Sequence, residues 1–286
     1  MCQLLGLSAS GPVAADFSLG GFLQRGGCTD HHSDGWGLGW YQGRQCQVLA
    51  DELPAAHSPL ARSVLAGSLR SASLIAHVRK ATQGRIRLSN CHPFRRNLWE
   101  RDWLFAHNGH LRQLNHHGEG PYFACGDTDS EPAFCALLNG LFRRFGAVEP
   151  GSAALAQAVG EISAVLSAHG PFNFLMSNGE LLFARCSTEL HYVERAWPFG
   201  RAHLVDTGAV IDFALHNHRH DRVAVVATRP LTSDEPWQRL APGELQVFVR
   251  GRRVAEWAQY SDEPVHVGVP PAIASAPCAH MVPAGA

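Results

Sequence analysis

The chain has 286 residues, is 45% hydrophobic and carries a formal net charge of −1 at pH 7. That is enough for one large domain or two small ones with a substantial core, and the near-neutral balance offers no basic footprint for nucleic acid or an anionic membrane. No run of about 18 apolar residues is present, which argues against a transmembrane helix. The opening MCQLLGLSASGPVAAD lacks the basic start and unbroken apolar run of a signal peptide, so a cytoplasmic protein is expected. In chain order, Cys2-Gln3-Leu4-Leu5-Gly6-Leu7 reads as a short buried strand. A Gly- and His-rich stretch from Asp16 to Ser33 runs into Asp34-Gly35-Trp36-Gly37. A strand over Leu38 to Tyr41 follows, with a turn at Gln42-Gly43. Ser58 as N-cap and Pro59 at the first helical position start a short helix over Leu60 to Leu65. Leu74 to Val78 and Leu104 to Ala106 are further buried strands, the second ending at His107-Asn108-Gly109.

Thr128-Asp129-Ser130-Glu131 fits a capping box, with Thr128 as N-cap and Glu131 at the third helical position. Phe134, Leu137, Leu138, Leu141, Phe142 and Phe145 then recur at helical spacing. Residues 152–168 make a second amphipathic helix. The pattern then changes to period two. Phe172 to Met176 and Leu181 to Arg185 form a hairpin whose Asn178-Gly179 signals a type I′ turn. Leu190 to Glu194, Val223 to Ala227 and Leu245 to Val249 are strands, the last pairing with Arg253 to Trp257 across Gly251. A single domain over residues 1–264 is expected, with a Pro- and Ala-rich tail over 265–286 read as disordered. Strands, then helices, then strands suggest a layered α+β domain in which helices enclose two sheets.

The eight cysteines stand at positions 2, 28, 46, 91, 125, 135, 186 and 278. None form a C-x-x-C pair, so neither a zinc ribbon nor a thioredoxin-type site is indicated. Most read as small buried hydrophobes. Cys2 differs. Initiator methionine is usually removed when the next residue is small, and removal leaves Cys2 with a free α-amine beside its thiol. With pKa values of about 7.7–8.0 and about 8.5, the amine can take the thiol proton without a separate histidine. An acyl-transfer site also needs oxyanion donors, and a site for an amino-acid head group needs a cation and an anion. Arg79 ends one apolar strand. Asn108 and the Gly109 N–H, at the end of another, suit an oxyanion. Asp129 lies in the first turn of a helix, where carboxylates are favoured in any case.

Together, Met1-Cys2 before an apolar strand, Arg25-Gly26, Asp34-Gly35-Trp36-Gly37, Arg79-Lys80-Ala81-Thr82, Asn90-Cys91-His92-Pro93, His107-Asn108-Gly109 and Thr128-Asp129-Ser130-Glu131 resemble the glutaminase domain of class II glutamine amidotransferases. These belong to the N-terminal nucleophile hydrolase superfamily. The motifs follow the family's order over residues 1–135. Cys186-Ser187-Thr188-Glu189-Leu190-His191 and Ala196-Trp197-Pro198-Phe199-Gly200 are similar to compact stand-alone bacterial members. The resemblance implies a four-layer αββα sandwich of two antiparallel sheets flanked by helices. It implies Cys2 as nucleophile with its own α-amine as base, and Asn108 and Gly109 as the oxyanion hole. Arg79 would bind the substrate α-carboxylate and Asp129 its α-ammonium. Thr82 and His92 would line the glutamine pocket, with Arg25 and Asp34 near it. The family often has Trp and His where this chain has Lys80 and Gln83, which bears on the pocket's width and polarity.

The implied activity is cleavage of the γ-amide of glutamine or a γ-glutamyl amide through a thioester, with no cofactor. The partner is a small γ-glutamyl molecule, and a separate synthase accepting ammonia is one option. Similar stand-alone relatives cleave γ-glutamyl sulfur compounds in ergothioneine synthesis or glutathione breakdown, and these residues do not choose the leaving group. A non-catalytic regulatory member is a further alternative, against which the intact set Cys2, Arg79, Asn108, Gly109 and Asp129 stands. The 17 histidines, among them His31-His32, His116-His117 and His216-Asn217-His218-Arg219-His220, invite a metal reading. No carboxylate or Cys partner stands at suitable spacing, so a solvated loop is expected there.

Overall fold

The computed structural model describes residues 2–82, 84–114 and 120–254. Met1, Gln83, His116-His117, the end of the last predicted hairpin and the predicted tail over 265–286 lie outside them. The strands and helices, in chain order, are β1 (Gln3–Ala14), α1 (Asp16–Gln24), β2 (Trp36–Gln42), β3 (Gln45–Asp51), α2 (Pro59–Ala66), β4 (Arg70–Val78), β5 (Phe94–Leu98), β6 (Arg101–Gly109), α3 (Ser130–Phe145), α4 (Ser152–Leu166), β7 (Phe172–Ser177), β8 (Leu181–Arg185), β9 (His191–Ala196), β10 (Arg201–His203), β11 (Val210–Asp212), β12 (Arg222–Ala227), β13 (Gln238–Arg239), β14 (Leu245–Val249) and β15 (Arg252–Arg253).

Two antiparallel sheets carry the molecule. One has seven strands in the order β13-β9-β12-β1-β4-β2-β3, the other six in the order β15-β14-β8-β7-β6-β5. The period of a strand explains the layering. In β1, Leu4 joins the core between the sheets with Ile75, Leu104, Leu175, Leu182 and Phe248. Its neighbour Leu5 points the other way, into a core with Leu19 and Phe22 of α1 and Ala61 of α2. A third core packs α3 and α4 on the outer face of the second sheet through Phe105, Phe134, Leu138, Val159 and Phe174. Strands buried on both faces read as continuous apolar runs, and each such side chain contributes about 1.5–3 kcal/mol. Gly6 fits because a Cβ there would sit 3.0 Å from Leu175 and 3.2 Å from Leu182 of the facing sheet. The four-layer αββα arrangement expected from the resemblance is the one present.

Local readings need four corrections. The first strand is 12 residues rather than a short one, and α1 forms inside the Gly- and His-rich stretch. The capping box does not form. Asp129, not Thr128, is the N-cap of α3, with no side-chain cap bond. Glu131 turns away to pair with Arg96 and to accept the N–H groups of Cys125 and Gly126. Tertiary partners thus outcompete the local cap. Finally, the turn joining β7 and β8 has positive φ only at Gly179, which rules out type I′. The Asn178 side chain instead accepts the N–H groups of Glu180 and Leu181. Ser58 does cap α2 as expected, accepting from the Ala61 N–H at 3.2 Å.

Candidate active site

β1 and β4 run side by side with Gln3 opposite Val78. That register places Cys2 beside the residues just past the end of β4. The Lys80 N–H donates to Cys2 Sγ at 3.3 Å, and Sγ lies 3.3 Å from the Lys80 carbonyl oxygen. Burial pushes the Cys2 thiol up. The Lys80 N–H and the charge of Arg79 pull it down, and the charge of Asp129 pushes it up again. The net direction is upward, so this cysteine is not ionised by its surroundings and needs a base to become a nucleophile.

Arg79 is buried, with its backbone N–H donating to Gly35 O at 2.8 Å. Its guanidinium donates to the carbonyls of Arg85 and Gly84 at 3.2 and 3.3 Å and to Asp34 O at 3.4 Å. Asp34 fixes the same corner, its carboxylate accepting the Ala81 N–H at 2.7 Å. Asp34 therefore orients the Arg79 segment.

β6 brings the second group. It pairs with β7 so that Asn108 faces Asn173 and Gly109 faces Phe172. Asn108 is 1% exposed, and its Oδ1 has no hydrogen-bond partner among the described residues. Gly109 is required by close approach, since a Cβ would collide with the Pro171 carbonyl oxygen. The Asn173 side chain makes four hydrogen bonds. Its Nδ2 donates to Asn108 O and Thr188 Oγ1, each at 2.8 Å. Its Oδ1 accepts the N–H groups of Ser187 and Thr188 at 2.8 and 2.9 Å. Sequence reasoning missed this residue, although a lone Asn in the apolar strand Phe172-Asn173-Phe174-Leu175-Met176 was a signal.

Asp129 stands at the head of α3, its Oδ2 accepting the Leu111 N–H at 2.6 Å and lying 3.8 Å from His110 Nδ1. The neighbouring Ser130 hydroxyl lies 3.4 Å from Asp129 Oδ1 and 2.9 Å from His107 Nδ1. His107, beside Asn108 in β6, thus ties the helix start to the strand end.

Two cavities flank the site. One of about 150 Å³ is lined by Cys2 and Asn108 together with Gln3, Asp30, Glu189 and Arg229. The other, about 440 Å³, includes Asp129, Thr128, Leu111 and Gly84 in its lining. The structure thus brings Cys2 and Asn108 to one hollow and Asp129 to the other, with the charges of Arg79 and Asp129 both felt at the thiol.

Three expected site residues stand differently. Arg25 is a buried strut. It donates to Asp206 Oδ2 at 2.8 Å, to Gln3 Oε1 and Arg229 O at 3.0 Å each, and to Pro230 O at 2.6 Å. His92 lines neither cavity. It packs on His77 with ring centroids 4.3 Å apart, and its Nδ1 accepts the His107 N–H at 3.3 Å. Burial holds His77 and His92 well below the usual histidine range, and it lowers His107 as well. Thr82 is exposed and lines neither cavity. Besides Asn173, sequence reasoning did not single out Asp30, Glu189 and Arg229, all on loops. Burial acts to raise the Asp30 carboxyl, but the His31 N–H, the two histidine rings and the Gln3 amide outweigh it and hold it low. Among the described residues no group of three or more His, Cys, Asp or Glu is placed to hold a metal ion, and no helix is long and apolar enough to cross a membrane.

Comparison with known proteins gives a consistent result. Residues 1–267 match the family Glutamine amidotransferases class-II. A protein of Escherichia coli (strain K12) provisionally named glutamine amidotransferase YafJ is 42% identical over 254 residues, 89% of this chain and 100% of that protein. A crystal structure from Pseudomonas aeruginosa, described as a predicted glutamine amidotransferase, superposes with a TM-score of 0.71 at 36% identity, over 89% of this chain and all of that one. Glutamine phosphoribosylpyrophosphate amidotransferase from B. subtilis has a TM-score of 0.55 at 16% identity, covering 88% of this chain and 48% of that one, a likeness of fold alone.

Proposed function

The chain belongs to the class II glutamine amidotransferases, a family of enzymes acting on amide C–N bonds, and from that premise we propose that it hydrolyses a γ-glutamyl amide through a thioester on Cys2. The observation that carries this reading is the shared cavity of Cys2 and Asn108, beside the buried cation of Arg79 and the half-buried carboxylate of Asp129. The head group of a γ-glutamyl substrate has one carboxylate and one ammonium, and these two side chains are its charge complement.

The chemistry is as follows. With Met1 removed, the α-amine of Cys2 takes the thiol proton, which a thiol raised by burial cannot shed unaided. Sγ attacks the γ-carbonyl carbon. The oxyanion receives the Asn108 side-chain amide and the Gly109 N–H. The C–N bond then breaks as the ammonium of Cys2 returns its proton to the leaving nitrogen, releasing ammonia or an amine. Water attacks the thioester, again deprotonated by the α-amine, and glutamate departs with the thiol restored. Arg25 and Asp34 act through other groups: Arg25 holds Gln3 beside the nucleophile, and Asp34 holds the Arg79 segment.

The test is labelling with a glutamine-like electrophile, read by intact mass, together with glutamate release from glutamine and other γ-glutamyl amides. One adduct on Cys2 and glutamate release abolished in Cys2→Ala are expected. Glutamate release at the wild-type rate by Cys2→Ala sinks the reading, and so does Met1 retained on the active protein.

A further inference from the structure

The smaller cavity raises a question that cleavage of glutamine leaves open. Ammonia is about the size of water, whose share of liquid volume is about 30 Å³. The hollow beside Cys2 is about 150 Å³ and is ringed by Asp30, Thr188, Glu189, Thr228 and Arg229. A departing ammonia needs neither that room nor that ring.

Its chemistry is specific. Arg229 stands between two carboxylates, 3.9 Å from Asp30 and 3.7 Å from Glu189. Both separations are too long for hydrogen bonds, so the planar donor face of the guanidinium remains for a ligand. The Thr188 hydroxyl oxygen already accepts the Asn173 amide at 2.8 Å, and that of Thr228 accepts the Leu4 N–H at 2.9 Å. Each therefore has its O–H proton to donate. Against these donors stand two acceptors, the Glu189 carboxylate and the buried, unpartnered Oδ1 of Asn108. Asp30 is committed elsewhere: Oδ2 accepts the Gln3 amide at 3.0 Å and Oδ1 the His31 N–H at 2.8 Å.

The geometry points to a leaving-group subsite for an amine that itself carries a carboxylate, so that the substrate is a γ-glutamyl amino acid or short peptide rather than glutamine. Arg229 and the two threonine hydroxyls receive the carboxylate. Glu189 and Asn108 Oδ1 face the nitrogen, which leaves as an amine and becomes an ammonium in water. The balance is that of the hydrolysis above. The bond from the γ-carbon to nitrogen breaks, that nitrogen takes the proton held by the Cys2 amine, and water supplies the glutamate oxygen. This inference rests on Cys2 being the nucleophile.

The experiment compares kcat/KM for γ-glutamylglycine, glutamine and γ-glutamylethylamide, the last lacking only a carboxylate of similar reach. The wild type is expected to prefer γ-glutamylglycine over both by about tenfold, the scale of one charge-assisted contact from a partly exposed guanidinium. In Arg229→Gln the ratio of γ-glutamylglycine to γ-glutamylethylamide is expected to fall towards one. Because the readout is a ratio within one protein sample, partial misfolding cancels. Equal or better turnover of glutamine or the ethylamide by the wild type overturns the subsite, and so does an unchanged ratio in Arg229→Gln. Failure of the underlying reading looks different: no glutamate from any of the three and no adduct on Cys2 with a glutamine-like electrophile.

Discussion

The two walls around Cys2 are built differently. The wall holding Asn108, Gly109 and Asp129 comes from the end of β6 and the start of α3, and hydrogen bonds tie both segments in place. Asp129 accepts a backbone N–H at 2.6 Å, and the Asn108 carbonyl is held by Asn173 at 2.8 Å. The opposite wall comes from loops around residues 30, 188 and 229, and its Arg229 side chain is 61% exposed with only loose ion pairs. A rigid wall suits what is the same in every γ-glutamyl substrate. A loop wall suits what varies, because loops change without disturbing the sheets. Arg25 ties the loop wall to the strand that carries Cys2, since it grips Gln3 at the start of β1, the carbonyls at 229–230 and Asp206 in the β10–β11 connection.

That contrast can be broken by mutation. The largest effect is expected for Cys2→Ala, with no measurable glutamate release from any substrate. Next, Asn108→Ala should lose about 10²–10³ in kcat, the usual cost of one oxyanion donor, and should lose it equally for substrates with different leaving groups. An effect that depends on the leaving group would show that Asn108 serves mainly the loop wall. Asp129→Asn should raise KM more than it lowers kcat and reduce kcat/KM about 10–100-fold, as expected for loss of a partly buried charge partner. A glutaryl amide, which lacks the α-ammonium, should be indifferent to that change.

The smallest effect concerns stability. His77, whose two ring nitrogens have no hydrogen-bond partner among the described residues, and His92 are held neutral by burial between the sheets. A lowered folded pKa means that the unfolded state binds the proton first. Their contribution is intact above the unfolded value of about 6.5 and declines as pH falls from there towards the folded pKa, by up to about 1.4 kcal/mol per pH unit for each. The urea midpoint should therefore drop between pH 6.5 and 5.5. His77→Phe should flatten that slope, and an unchanged slope would remove His77 from the account.

Much of this was legible in the chain itself. Period-two and unbroken apolar runs marked β4, β6, β7, β8, β12 and β14, because strands with two covered faces must be apolar throughout. Ser58-Pro59 marked the start of α2, because its cap is satisfied within four residues. The residues proposed to carry the chemistry, Cys2, Arg79, Asn108, Gly109 and Asp129, could be picked out because each sits at a strand or helix end next to a recognisable motif. The long extension of β1 and the failed capping box at Thr128 were not, since both depend on partners distant in sequence. The same holds for His92, whose neighbours His77 and His107 come from two different sheets.

The sequence by itself determined the layer pattern and picked out the residues proposed as nucleophile and charge pair, since these follow from local periodicity and from residue types at element ends. Only the tertiary structure decided what lines the proposed leaving-group subsite. Asp30, Glu189 and Arg229 stand about 159 and 40 positions apart along the chain, and it is the docking of three loops at one end of β1 that brings both carboxylates within 4 Å of the Arg229 guanidinium.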